Sequence, residues 1–479
     1  MDQFRAPVAA LLAALLGAGC ASFDGLLPRA KKSDASALAA SRALAGAALS
    51  PAVWPSTDWW RRFGDPQLDA LIGEALASSP SMASARARID RALALAASSG
   101  AALAPQVNAG ADVLRQHYSR NGIFPPPIAG SWHTQTQLAL SFGVELDLWG
   151  RNRAALDAAL GQVRAAEVDA YAVRLLLAAS VARAYVQLGR SFEQLELAQA
   201  TLAQRQAIFN LTGERVAAGI DSQVELKQAE VSLPAARERI TQLEEEIALG
   251  RSLIAALLGQ GPDRGLAIAR PTAQAQAVAL PSALPADLLG RRPDVAAQRW
   301  RVEAGRREID AAKGQFYPNV NLAALIGVQS ITFSKLLSSG SEVPAFGPAL
   351  RLPLFDGGRL RANLAAKDAD YDLAVEQYNQ TLVEALREVV DQLASLKSVD
   401  AQRVQLESAL ASTLEAHALA LERFRAGVAS YLQVLAAEAP VLEQRNLQAS
   451  LRARALELSI NLMRALGGGF EDKPAAGAS

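Results

Sequence analysis

The chain changes character at Gly150. Upstream of it, Leu138 to Leu148 alternates without a miss. Leu138, Leu140, Phe142, Val144, Leu146 and Leu148 fall on one side, and Gln137, Ala139, Ser141, Gly143, Glu145 and Asp147 on the other. Strand side chains alternate between faces, so this is a strand with one apolar and one small or polar face. Such a strand fits a half-buried place in a soluble sandwich, or the wall of a transmembrane barrel with lipid outside and water inside. Downstream, residues 152–218 contain no proline. Apolar residues there step by fours and threes through Leu156, Leu160, Val163, Ala170, Leu177, Val181, Ala184 and Leu188, interrupted at Glu167 and Arg174. A period near 3.5 indicates helices packed side by side. Roughly 66 residues at about 1.5 Å each make a helix on the order of 100 Å, for which a compact globule has no room.

The strand–turn–helix unit recurs at Ala349 to Arg361. Leu350, Leu352 and Leu354 alternate, Phe355 stands where Trp149 stood, and a helix from Arg359 to about Ala426 follows. Both long helices break at related turns, Arg215 to Ser222 and Arg423 to Ser430. Gly219 and Gly427 suit left-handed helix ends, and Asp221, Ser222 or Ser430 suits the cap of the next helix. Gly219/Gly427, Ser222/Ser430 and Glu230/Glu438 share one offset, the mark of an internal duplication.

The expected first repeat is 66–262: a helix from Pro66 to Leu103, a β hairpin over 105–149 and a helical hairpin over 152–259. An irregular segment, 263–285, precedes the second repeat, 286–466. That repeat has a helix from Ala286 to Gly314, a β hairpin over 316–355 and a helical hairpin over 359–466. Each returning helix covers about half the outgoing length. The expectation is that 286–314 stacks on the end of the first returning helix to complete the partner of the first long helix. Pro66–Leu103 would complete that of the second. Residues 467–479 are expected to be a flexible tail.

Composition removes several functions. Lys+Arg and Asp+Glu are both 48, and no basic patch interleaved with aromatics appears, so nucleic acid is not a partner. A single cysteine permits no intrachain disulfide, and His117, His133 and His417 lack metal-ligand spacing. No nucleotide loop or hydrolase motif is present, so no catalytic residue, cofactor or metal is expected. Beyond the N-terminus no apolar run is long enough for a spanning helix, so any membrane crossing would be by strands. A four-stranded set cannot close a barrel, and an open sheet edge cannot face lipid, so crossing demands oligomerisation.

Arg5, the apolar Val8 to Leu16 and Gly17-Ala18-Gly19-Cys20 form a secretory signal, 1–19. It resembles a bacterial lipoprotein signal, in which Cys20 becomes the lipidated first residue, although Gly17 stands where leucine is usual. In lipoprotein sorting, Ala21 in place of aspartate fits the outer membrane. Residues 20–65 then form a lipid-anchored tether.

Three further segments complete a pattern. Trp59 to Leu76 reads WWRRFGDPQLDALIGEAL, Leu288 to Val295 reads LLGRRPDV, and Leu354 to Gly358 reads LFDGG. With the two tip turns, they resemble in order the outer-membrane efflux lipoproteins of the OprM/NodT type within the TolC family, over nearly the whole mature chain. The resemblance implies a mixed α and β membrane protein: a homotrimeric barrel of four strands per chain, continued by a periplasmic helical barrel. It implies an aromatic girdle of Trp149, Phe316, Tyr317 and Phe355 at the periplasmic interface. Arg215, Gly219, Ser222, Arg423, Gly427 and Ser430 match the tip motif that meets a periplasmic adaptor. Leu432, Gln433 and Ala436 fall at the periplasmic aperture, where relatives often carry charged groups. Ala436 and Ala439 replace them here, so closure by Gln433 and apolar packing is expected. The implied function is a passive export conduit for drugs or other small molecules, anchored in outer-membrane lipid and reaching into the periplasm. Its partners would be an adaptor and an inner-membrane pump of the RND type. A type I protein secretion outlet is the alternative within the family, disfavoured by the lipoprotein-like signal and the WWxxF opening. A soluble periplasmic coiled-coil scaffold is the rival from another class, and the alternation at 138–148 argues against it.

Overall fold

A computed structural model describes residues 25–34, 38, 49–50, 54–274, 280–281 and 290–472. The signal, Cys20 and residues 473–479 lie outside the described residues. The described residues form two compact units: those within 1–32, 89–166 and 298–378, and those within 33–88, 167–297 and 379–479.

The first unit holds a four-stranded sheet of β1 (Gln106–His117), β2 (Trp132–Leu146), β3 (Asn319–Ser330) and β4 (Ala345–Arg351). The order is β1-β2-β3-β4, antiparallel throughout. The alternating run of Leu138 to Leu146 is the second half of β2. β4 ends before Leu352 and Leu354, which the sequence reading placed on it. Pro353 explains the stop, because it has no N–H for the ladder. The outer edges of β1 and β4 have no strand partner among the described residues.

Beside the sheet in this unit lie the end of α2 (Pro80–Ala101), the start of α3 (Arg151–Ala217), most of α6 (Pro293–Gly314) and the start of α7 (Arg359–Arg425). Ile309, Ala312 and Leu364 form a buried cluster, against which Leu26, Phe316 and Tyr371 pack. Small residues let the helices close up: a Cβ on Gly161 would lie 3.0 Å from that of Ala304. Residues 25–32 form no helix or strand. They are nonetheless fastened: the Arg29 and Ala30 N–H groups donate to Asp372 at 2.9 Å, and Lys32 pairs with Glu303 at 2.7 Å.

The second unit is built on the tryptophan motif. Trp59, Trp60 and Phe63, on a 3-10 turn, are buried with Leu68, Leu71, Ile72 and Ala75 of α1 (Pro66–Ser78) against Val181, Tyr185 and Leu188 of α3. Asp65 caps α1 through the Gln67 and Leu68 N–H groups at 2.9 and 3.3 Å. It also accepts from the Tyr185 hydroxyl at 2.8 Å and from the Thr272 N–H and hydroxyl at 2.8 and 3.0 Å. Burial pushes this carboxyl up, but the Thr272, Tyr185 and Leu68 donors outweigh it and hold Asp65 below the ordinary carboxylate value.

Three expectations change here. The helix expected from Pro66 to Leu103 is two helices, because Pro80 forces Ser79 into an extended conformation (ψ 134°). The stacking is also crossed. α4 (Gln223–Leu257) ends against the α1–α2 break, where the Ser78 hydroxyl donates to the Leu258 carbonyl at 2.8 Å. Gly259 approaches so closely there that a Cβ would lie 2.7 Å from Pro80. α8 (Tyr431–Ala465) ends at the start of α6, where buried Arg292 donates to the Ala465 carbonyl at 3.1 Å. Thus the end of α4 meets the start of α2, and the end of α8 the start of α6. The residues after α4 enforce this by running back along α1 through α5 (Asp263–Leu266), with Arg264 paired to Glu74 at 2.8 Å and the Ala269 N–H donating to Gln67 at 2.9 Å. Finally, Gly467 to Asp472 is folded rather than free: Phe470 is buried against Tyr171, and the Asp472 N–H donates to the Gly290 carbonyl at 2.9 Å.

Candidate functional site: a two-faced sheet and two helical tips

The register decides which side chains share a face. Leu138 pairs with Ala111 and Val328, Leu140 with Ala109 and Ile326, and Phe142 with Val107 and Ala324. Leu322 pairs with Val144 and Pro348, and Ala324 with Phe346. All four strands therefore turn most of their large apolar residues to one side, where Val107, Val113, Leu140, Ile326 and Phe346 stay exposed; Leu114 and Leu325 are the exceptions, on the other face. The other face carries Gln106, Asn108, Asp112, Gln135, Gln137, Ser141, Asn321 and Gln329, interspersed with Gly, Ala and the two leucines. An apolar face left in the open is one that water does not solvate in the working protein.

At the helix end of the sheet, Trp149 stacks on Tyr317 with centroids 4.9 Å apart and donates its indole N–H to the Pro318 carbonyl at 2.9 Å. Phe355 is 93 % exposed. Phe316 packs on the Ile309–Leu364 cluster. At the opposite end, Trp132 lies against His117 at 5.6 Å. The sequence reading missed this second aromatic level because Trp132 precedes the clean alternation.

The two tips share a backbone and differ in chemistry. Gly219 and Gly427 have φ of +74° and +76°, and the Ile220 and Val428 N–H groups close back on the Arg215 and Arg423 carbonyls at 2.8 and 3.0 Å. This is a Schellman-type ending, which a residue with a Cβ resists. At the first tip, Arg215 makes two bonds to Asp221, at 2.7 and 3.0 Å. The hydrogen bond from Arg215 holds Asp221 below its ordinary value. Ser222 and Glu225 form a capping box at the start of α4.

At the second tip the offset places Ala429 opposite Asp221 and Gln433 opposite Glu225, and Ser430 makes no side-chain cap. Apolar packing replaces these bonds: Phe424, Tyr431 and Val434 are buried with Ile208 and Ala229. Arg215 joins the tips, donating to the Phe424 carbonyl at 3.1 Å with its guanidinium 4.8 Å from the Phe424 ring centroid.

Past the second tip, Leu432, Gln433 and Ala436 are exposed, whereas Tyr431, Val434 and Glu438 form the buried stripe of α8. Glu438 pairs with Arg205 at 3.1 Å and accepts from Gln204 at 3.1 Å. Charge is therefore present near the expected aperture, but it is turned inward onto α3. The sequence reading used Glu438 only as a marker of duplication; its place on the buried 431–434–438 spacing was the available signal.

A sheet with one continuous open apolar face, joined to helices of about 67 residues, defines a class: a strand-spanning membrane protein with long helical hairpins. Among the described residues no helix is long and apolar enough to cross a membrane. The model of the outer membrane efflux protein family matches residues 71–260 and 284–468. The chain is 42 % identical over 368 residues to the fusaric acid resistance protein FusA of Burkholderia cepacia, covering 76 % of this chain and 69 % of that one. It is 34 % identical over 435 residues to the multidrug resistance outer membrane protein MdtP of Escherichia coli K12, covering 89 % of each. Among solved structures it is similar to the outer membrane protein VceC of Vibrio cholerae, with a TM-score of 0.81 and 37 % identity over 87 % of this chain and 100 % of that one. The chain belongs to the outer membrane efflux protein family.

Proposed function

We propose that the chain is the outer-membrane conduit of a tripartite efflux system, working as a homotrimer with a periplasmic adaptor and an inner-membrane pump, an RND-type pump being the partner we favour. The observation that carries this reading is the coincidence of four strands sharing one apolar face on a sheet whose two edges lack partners among the described residues. Pairing the β1 edge of one copy with the β4 edge of the next satisfies those backbone groups and encloses the polar face as a lumen. Trp149, Tyr317 and Phe355 then sit at the periplasmic interface, and Cys20 carries the lipid. Arg423, Gly427 and Ser430 are exposed and suit contact with an adaptor, as do Gly219 and Ser222. Arg215 is buried in its pair with Asp221 and serves by shaping the tip. Leu432, Gln433 and Ala436 close the aperture by packing and amide contact.

The names of the relatives favour drugs or small organic acids such as fusaric acid as cargo. Deleting the gene should raise accumulation of such compounds in whole cells, and restoring the chain should lower it. Unchanged accumulation would contradict the efflux role.

A further inference from the structure

We infer that Arg115, with Trp132 and His117 beside it, seats the phosphate of an anionic membrane-lipid headgroup at the outer rim of the sheet. The inference rests on the reading of the sheet as a membrane wall. The register puts Arg115 opposite Thr134 and His117 opposite Trp132, on the same side as Val113, Leu138 and Leu140. That side otherwise carries no formal charge on any of the four strands. Glu342, just outside β4, is turned to its own loop, accepting the Gly340 N–H at 2.8 Å. Arg115 is exposed and has no carboxylate partner among the described residues.

Height along the strand explains why a cation is tolerated there. From the Val113–Thr136 pair to Leu146 the apolar face runs about 33 Å, or about 23 Å across a bilayer at a tilt near 45°, close to the apolar band of about 25 Å of such sheets. Arg115 is the next residue outward on that face, about 5 Å beyond the band, at the level of headgroups. The Trp132–His117 pair follows it, where amphipathic rings sit at a membrane interface. A planar guanidinium is matched in shape and charge to a phosphate. The helices leave from the opposite end of the sheet, so this rim faces the outer leaflet.

The test uses full-length protein in phosphatidylcholine vesicles containing phosphatidylglycerol, floated, extracted in mild detergent and weighed intact. Wild type should retain phosphatidylglycerol over phosphatidylcholine, and R115Q should retain about fivefold less of it. R351Q, on the polar face, should match wild type. Should R115Q not insert, R115K carries the test: with a point charge in place of the planar fork, it should retain less than wild type. Free inorganic phosphate should not displace the lipid. Equal retention by R115Q or R115K, or displacement by free phosphate, would overturn the lipid seat while leaving the membrane reading intact. Failure of wild type to float would overturn both.

Discussion

Arg215 and Asp221 are joined by two hydrogen bonds across the first tip, at 2.7 and 3.0 Å, and the same guanidinium reaches the Phe424 carbonyl of the second. One side chain thus fixes the shape of one turn and its distance from the other. Asp221→Ala leaves a largely buried cation with one partner fewer. It should loosen residues 215–225 by about 1–3 kcal/mol, read as faster amide exchange confined to that turn.

The same pair sets a pH dependence. Asp221 has a lowered pKa when folded, so its contribution is fully present above the unfolded carboxylate value of about 3.9 and is lost as pH falls through the lower folded value. Protease sensitivity of the tip should rise only in that acidic window, and Asp221→Asn should remove the dependence. A wild-type profile that stays flat down to pH 2 would refute the pairing.

Asp65 should behave alike on a larger scale. Asp65→Ala uncaps α1 and strands Tyr185 and Thr272, costing about 2–4 kcal/mol in thermal unfolding; Tyr185→Phe should cost about 1. This aspartate's stabilisation is also complete above the unfolded value and lost below the folded one.

Much of this was legible in the chain. Residues 152–218 announce a helix because nothing in them breaks one, and Gly219 and Gly427 mark the turns because only a left-handed residue ends a helix so sharply. The face of β2 was legible because its alternation never misses. The stacking was not. It depends on Pro80, which the apolar stripe of α1 hides, and on residues 263–274, whose hydrogen bonds to Glu74, Gln67 and Asp65 have no periodicity. The inward turn of Glu438 and the packing of Phe316 were equally hidden, since a side chain at an element boundary follows its neighbours in space.

The two faces of the sheet should respond differently to charge. Leu140→Arg, near the middle of the apolar face, should lower membrane stability by about 2–4 kcal/mol. Gln137→Arg, on the polar face, should leave stability nearly unchanged and shift ion selectivity toward anions. Folding into lipid vesicles and reversal potentials in planar bilayers check the two halves.

The aperture makes its own prediction. With Glu438 turned inward onto Arg205, closure rests on exposed Leu432, Gln433 and Ala436. The isolated wild-type channel should conduct poorly, and Gln433→Ala or Leu432→Ser should raise its conductance several-fold. A large conductance of the unmodified protein would contradict closure by packing.

The most direct test of the account is the native mass of the detergent-extracted protein. A complex of three chains, each carrying acyl mass at Cys20, is the predicted result and supports the shared barrel and the anchor together. Three chains without that mass would keep the channel and remove the anchor. A water-soluble monomer would contradict the account, because the open apolar face and unpaired edges of its sheet would then have no membrane and no neighbour.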